Sequence, residues 1–338
     1  MAINKAVLAA LKAISYARID VKKTYKLERT IVNAAHFPLL KPFYKTWDHK
    51  VSCGDHEVPV RLFSPPEGQT PASILLFFHG GGWVTGNIDS YNKVCMAMAR
   101  LTGCLVISVD YRLAPEYRFP CALDDCYQVA EQVFMHTDKL FHLPPERVTL
   151  IGDSAGGNLA AAVSLLARDR GDFIPSSQIL LYPCTHSDHS ESSPFPSVHE
   201  NGTDYLLTSE RVNAFLELYQ SCPADQINPY FAPLMSTDFS RQPRTLIMTA
   251  EYDPLRDEGE AYGEKLKEAG NMVEVVRMKD ALHGFISLPS GFSQVQQAYA
   301  IINRFLGEVP NCECKECQEE HPVEPSGQCG QDLSSHQQ

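Results

Sequence analysis

The stretch Val148-Thr149-Leu150-Ile151-Gly152-Asp153-Ser154-Ala155-Gly156-Gly157-Asn158-Leu159-Ala160 decides the fold. Its first four residues read as a short buried strand, and the run from Asn158 to Ala167 reads as a helix. Between them stands Gly-x-Ser-x-Gly. A serine held between strand and helix sits in a tight turn that pushes its hydroxyl outward, and small residues two positions to either side let the two elements approach. The start of the following helix favours negative charge developing beside it. The plainer reading is a Gly-rich turn that binds nothing or cradles a phosphate. No Gly-Lys-Ser/Thr follows, which excludes a P-loop.

Outward from this turn, short β-branched or aromatic runs alternate with longer helical patterns. The runs are Ile74 to Phe78, Leu105 to Val109, Val148 to Ile151, Ile179 to Tyr182, Leu246 to Thr249 and Val273 to Met278. Such alternation predicts an α/β fold with a mostly parallel central sheet flanked by helices. Residues 1 to about 50 read as helical, and a strand-like stretch at Val58 to Phe63 follows. The rhythm breaks between Pro183 and about Pro229, where a helical pattern through Val212, Phe215, Leu216 and Tyr219 suggests an insertion over the sheet. The division expected is an N-terminal helical region at 1–50, a main body at 51–307 with an insertion near 185–225, and a tail at 308–338. Seven acidic residues and one lysine give that tail −6, half the net charge, and its prolines and polarity predict disorder.

Composition narrows the chemistry. In 338 residues, 44% are apolar and 21% charged, which is ordinary globular usage and excludes fibres and wholesale disorder. Lys and Arg total 29 against 41 Asp and Glu, a net charge of −12, so no basic footprint for nucleic acid or an anionic membrane is present. A small neutral or organic molecule suits the chain better. No apolar run approaches the roughly 18 residues of a membrane span. The apolar stretch Ala6 to Leu11 is ended by Lys12, short of a secretory signal core, and Ile3, Val7, Leu11 and Ile14 recur at helical spacing. The eleven cysteines are odd in number, and Cys104 and Cys184 adjoin strand-like runs where a reduced thiol acts as a small hydrophobe. These features together predict a cytoplasmic protein. They set no oligomeric state.

A second signal is His79-Gly80-Gly81-Gly82-Trp83 at the end of the strand Ile74 to Phe78. Backbone without β-carbons can turn several N–H groups toward one point, as a developing oxyanion requires. A serine hydroxyl near neutral pH needs a general base, and the base needs a carboxylate to hold its tautomer. Asp253 follows the strand Leu246 to Thr249, and His283 follows the strand Val273 to Met278. With Ser154, both lie at strand C-terminal ends, where open α/β sheets place their sites. The order Ser, Asp, His is that of α/β-hydrolases. Each residue alone has a bland alternative as a turn former or a surface side chain, and their conjunction discriminates.

At these residues the chain resembles the hormone-sensitive-lipase and arylacetamide-deacetylase-like branch of the α/β-hydrolases. The likeness covers about residues 70 to 307, through His-Gly-Gly-Gly, Tyr111-Arg112-Leu113-Ala114-Pro115-Glu116, Gly-Asp-Ser-Ala-Gly-Gly, Asp253-Pro254-Leu255-Arg256-Asp257-Glu258 and His283-Gly284-Phe285. It implies Ser154 as nucleophile, His283 as base and acid, Asp253 as its orienter, and the N–H groups of Gly81, Gly82 and Ala155 as an oxyanion hole. It also implies a helical cap built from the N-terminal region and the insertion. The activity implied is carboxylic ester hydrolysis on small-molecule esters of short to medium acyl length, with no metal or cofactor. Amide cleavage of the aryl-acetamide kind, and a small-molecule receptor on the same fold, are the alternatives; the receptors lack the histidine that His283 supplies.

Trp83, Tyr205, Phe215 and Phe285 are candidate pocket walls, each equally able to be core. His186, Asp188 and His189 with Cys184 have metal-ligand chemistry but read first as a cap loop. Cys312, Cys314, Cys317, Cys329 and His321 have irregular spacing for zinc. Asn201-Gly202-Thr203 is a glycosylation sequon only in a secreted chain.

Overall fold

A computed structural model describes residues 20–35 and 46–307. The expected helix through Ile3, Val7, Leu11 and Ile14 and the tail at 308–338 lie outside the described residues. Eight strands form one sheet in the order β1-β2-β4-β3-β5-β6-β7-β8. They are β1 (Thr46–Cys53), β2 (His56–Phe63), β3 (Ile74–Phe78), β4 (Leu105–Val109), β5 (Val148–Asp153), β6 (Ser177–Leu181), β7 (Arg244–Tyr252) and β8 (Val273–Leu282). From β4 through β8 every pairing is parallel, and the hairpin β1–β2 joins β4 antiparallel.

The central strands are short and rich in apolar residues because both faces are covered. Every residue of β3, β4, β5 and β6 is buried. Alternate side chains serve opposite faces. Leu76, Phe78 and Leu150 join one core with Leu123, Leu159 and Tyr262, whereas Leu75, Phe77 and Ile151 join another with Met98, Val295 and Tyr299. On the first face lie α3 (Cys121–Phe141), α4 (Ala155–Arg170) and α7 (Arg256–Glu268); on the second lie α2 (Asn92–Thr102) and α8 (Ser293–Gly307). Helix α4 is the most enclosed, with every residue from Ala155 to Ala167 buried, and small residues there let it lie close to the sheet.

The first strand corrects the sequence reading. The helical reading extended to about residue 50, yet residues 46–53 form β1, turning into β2 through a two-residue loop in which Gly54 takes φ 72°. Glycine at that place suits the turn that matches strand twist. This edge strand is largely exposed and polar, so it lacks the apolar signal of its neighbours.

Helix α1 (Val21–Ala35) and the segment between β6 and β7, which carries α5 (Pro196–Glu200) and α6 (Ser209–Tyr219), meet above the sheet. Glu28 pairs with Arg211, and Lys22 pairs with Glu217. Arg29 reaches further: Nε donates to Val84 O at 2.5 Å, Nη2 donates to Ala114 O at 2.5 Å, and the guanidinium pairs with Glu116 at 2.8 Å.

Candidate active site

Ser154 sits at the junction of β5 and α4 with φ 54° and ψ −118°, a conformation that side-chain-bearing residues rarely adopt. Its neighbours explain how the turn is tolerated. A Cβ on Gly152 would lie 2.1 Å from Gly156 O, and one on Gly156 would lie 1.9 Å from Phe78 O. Strand, turn and helix are therefore as close as backbone can come, which requires glycine two positions to either side of the serine. The Ser154 N–H donates to Leu181 O at 2.9 Å and fixes the turn against β6.

His283 follows β8, 129 residues on, and its Nε2 lies 2.9 Å from Ser154 Oγ. Its Nδ1 lies 2.7 Å from Oδ2 of Asp253, which follows β7 and is fully buried. An ionised carboxylate only accepts, so Nδ1 carries the proton and Nε2 is left free to accept from the serine hydroxyl. Asp253 Oδ1 also accepts the Leu255 N–H at 3.0 Å, which holds the carboxylate in place. Tyr182 packs edge-on against the imidazole, with centroids 4.8 Å apart. The arrangement can draw a proton from Ser154 and hold the resulting imidazolium.

The loop after β3 turns on three consecutive positive φ values: Gly81 at 118°, Gly82 at 61° and Trp83 at 59°. Tryptophan tolerates this because its ring is clamped, stacked on Tyr219 at 4.5 Å with 2° between planes. Gly81, Gly82 and Ala155 line the same cavity as Ser154, and among the described residues none of their N–H groups has a partner. Those N–H groups are available to an oxygen placed there.

Two buried titratable groups tie this loop down. Asp153 accepts from the Gly80 N–H at 2.8 Å, Tyr91 OH at 3.0 Å and Tyr182 OH at 3.4 Å. Burial pushes its carboxyl up to about 6, against the opposing pull of those hydrogen bonds and of His283. His79 is wholly buried and stacked on Tyr111 at 4.2 Å, and its Nδ1–H donates to Gly80 O at 2.8 Å. Burial drops it to about 4, so it stays neutral and braces the loop.

The cavity over Ser154 has a volume of about 480 Å³. Trp83, Phe215 and Phe285 line it, together with Leu206, Leu207, Val212 and Leu288. Tyr205 does not. It stacks on Tyr252 at 5.0 Å, because the chain turns at Leu206 with φ 72° and presents Leu206 instead. Arg211 is a lining residue that the sequence did not single out, since one arginine among the polar positions of an amphipathic helix carries no local signal.

Cys184, His189 and Glu258 bring ligand atoms within 4.8 Å of one another, all buried. Glu258 was absent from the set considered in the sequence, and His186 and Asp188 are absent from this one. Glu258 is already engaged: Oε1 accepts from the N–H groups of Thr185 at 2.6 Å and His186 at 3.1 Å, and Oε2 faces His189 Nε2 at 2.5 Å. His189 Nδ1 lacks the acceptor that orients a metal-bound histidine. The cluster therefore reads as a brace for the loop after β6.

The geometry has counterparts. The alpha/beta hydrolase fold is matched over residues 75–287. The chain belongs to the α/β-hydrolase fold family. Its membership in the hormone-sensitive-lipase-like branch agrees with its relatives. This hydrolase is 36% identical over 255 residues to an arylesterase of Saccharolobus solfataricus, covering 75% of this chain and 81% of the relative. It is 35% identical over 251 residues to an ethyl acetate hydrolase of Pseudomonas putida, covering 73% and 77%. Among solved structures, the hyperthermophilic esterase of Pyrobaculum calidifontis superposes with TM-score 0.78 at 33% identity, covering 90% of this hydrolase and 98% of that chain.

Proposed function

We propose that the protein is a serine carboxylesterase that cleaves short to medium acyl esters through an acyl-enzyme. The observation that carries this reading is the linked Ser154–His283–Asp253 set, at 2.9 and 2.7 Å, opening on an apolar cavity beside unpaired N–H groups. The names of the relatives, arylesterase and ethyl acetate hydrolase, support the substrate class.

His283 Nε2 takes the Ser154 proton as Oγ attacks the ester carbonyl, and Asp253 balances the imidazolium. The N–H groups of Gly81, Gly82 and Ala155 receive the oxyanion, each such donor being worth about 3 kcal/mol in comparable sites. His283 then protonates the departing alkoxide, and the alcohol leaves. Water, deprotonated by the same nitrogen, attacks the acyl-serine and releases the acid. Helix α1 together with α5 and α6 acts as the cap, and the body from residue 51 to 307 carries the chemistry. A reducing, cytoplasmic setting is part of this reading. Its support is that the seven described cysteines are free and that no described helix is long and apolar enough to cross a membrane.

The test is a p-nitrophenyl ester series run beside an aryl-acetamide, with labelling by a serine-directed organophosphate. Ester turnover with stable labelling of wild type, and neither in Ser154→Ala, is expected. Labelling that persists in Ser154→Ala would sink the assignment, and faster cleavage of the amide would turn the reading to a deacetylase.

A further inference from the structure

The geometry points to Arg211 as a specificity residue that binds a carboxylate on the substrate, so that half-esters of dicarboxylic acids are favoured over neutral esters of equal length. This deepens the ester-hydrolase reading and rests on it. The cavity wall is otherwise dominated by leucine, valine and aromatic side chains, and Arg211 is the one Lys or Arg lining it among the described residues. An arginine facing such a wall is partly desolvated, which strengthens its attraction for an anion relative to one in open water.

Its position is fixed from both ends. The backbone N–H of Arg211 is held by the N-cap hydroxyl of Thr208 at 3.2 Å, at the first turn of α6. The guanidinium lies 5.3 Å from the ring centre of Phe215, one helical turn on. Phe215 in turn presses on the glycine loop, since a Cβ on Gly82 would meet its ring at 2.4 Å. One aromatic ring thus separates the guanidinium from the backbone expected to receive the oxyanion. A carboxylate at Arg211 would be joined to the reacting carbonyl by a spacer of a few methylenes.

The guanidinium also has capacity to spare. It offers five N–H donors in a fork, and among the described residues its side-chain acceptor is Glu28, which takes Nη2 at 2.5 Å. Glu28 comes from α1 and is more buried than Arg211, so it orients the fork while competing for its charge. If Arg211 served only to clip α1 to α6, it would duplicate the Lys22–Glu217 pair between the same helices and would have no reason to line the cavity.

The experiment compares kcat/KM for p-nitrophenyl hydrogen adipate with that for p-nitrophenyl hexanoate, which has the same number of acyl carbons and no second carboxylate. In Arg211→Gln the adipate-to-hexanoate ratio should fall about tenfold, the equivalent of about 1.4 kcal/mol, chiefly through KM. Arg211→Lys should keep part of the ratio, because it retains charge without the planar fork. Glu28→Gln should raise the ratio by releasing the guanidinium, and this arm holds even where Arg211→Gln folds poorly. An unchanged ratio in Arg211→Gln, with both esters slowed equally, overturns the inference and leaves the esterase reading intact. A wild-type enzyme inert toward both esters overturns the reading beneath it.

Discussion

A methyl group at Gly156 would enter the backbone of β3, 1.9 Å from Phe78 O, with no flexible side chain to yield. Gly156→Ala is expected to cost about 3 kcal/mol or more, as overpacking against rigid backbone does. Gly291→Ala, where nothing lies within 4 Å, should stay within about 0.5 kcal/mol. Denaturant midpoints of the two variants check this. The buried pair His79 and Asp153 gives a pH prediction at the same scale. His79 is depressed to about 4 from 6.5, so the stability tied to its neutral form is lost as pH falls from about 6.5 to 4. Asp153 is raised to about 6 from 3.8, so its contribution is full below about 3.8 and lost as pH rises through 6. The two oppose each other between pH 4 and 6, each with a span of roughly 3 kcal/mol at 1.36 kcal/mol per pKa unit. Asp153→Asn should therefore lose stability on acidification from pH 6 to 4 more steeply than wild type. Parallel curves for the two proteins would show that Asp153 does not titrate there.

Among the elements, two central strands were legible to the residue, whereas half-buried β2 and β8 were read only in part. Ile74–Phe78 and Leu105–Val109 match β3 and β4 residue for residue, because near-continuous apolar runs follow from cover on both sides. Strand β1 escaped for the opposite reason: Asp48, His49 and Lys50 face water at an edge, and neither period marks them. Ser154, Asp253 and His283 could be grouped from the sequence because each directly follows a readable strand, and the structure brings His283 within hydrogen-bond distance of the other two. The bracing of Thr185, His186 and His189 by Glu258 was not, since contacts across about 70 residues leave no local pattern. Arg29 is a second unread residue, bridging α1 to the glycine loop at Val84 and to Ala114. Arg29→Ala should cost about 1–3 kcal/mol by orphaning those two carbonyls. It should lower kcat more than it raises KM, because it loosens the backbone proposed to receive the oxyanion rather than the leucine and valine side chains of the cavity wall. Thermal unfolding and steady-state kinetics measure the two effects, and an unaltered kcat would separate α1 from the site.

For the whole molecule, the sheet places three strand ends under one half-open cavity of about 480 Å³ walled on one side by α6, so the acyl chain of a substrate is bounded by its depth. Over a series of neutral p-nitrophenyl esters, kcat/KM should rise by up to about fourfold per methylene, the equivalent of about 0.8 kcal/mol. It should then fall once the cavity is full. A rate that climbs steeply above the substrate's solubility limit would mark an interfacial lipase instead. The order of strands along the chain has another consequence. Ser154 lies near the middle of the polypeptide, whereas His283 follows β8, the edge strand opposite β1 and the last strand to be made. During synthesis the ribosome extrudes Ser154 and most of the sheet well before His283, its proposed base. On the proposed mechanism a chain cut before residue 283 lacks the base, so ester hydrolysis is expected only once the body is almost complete.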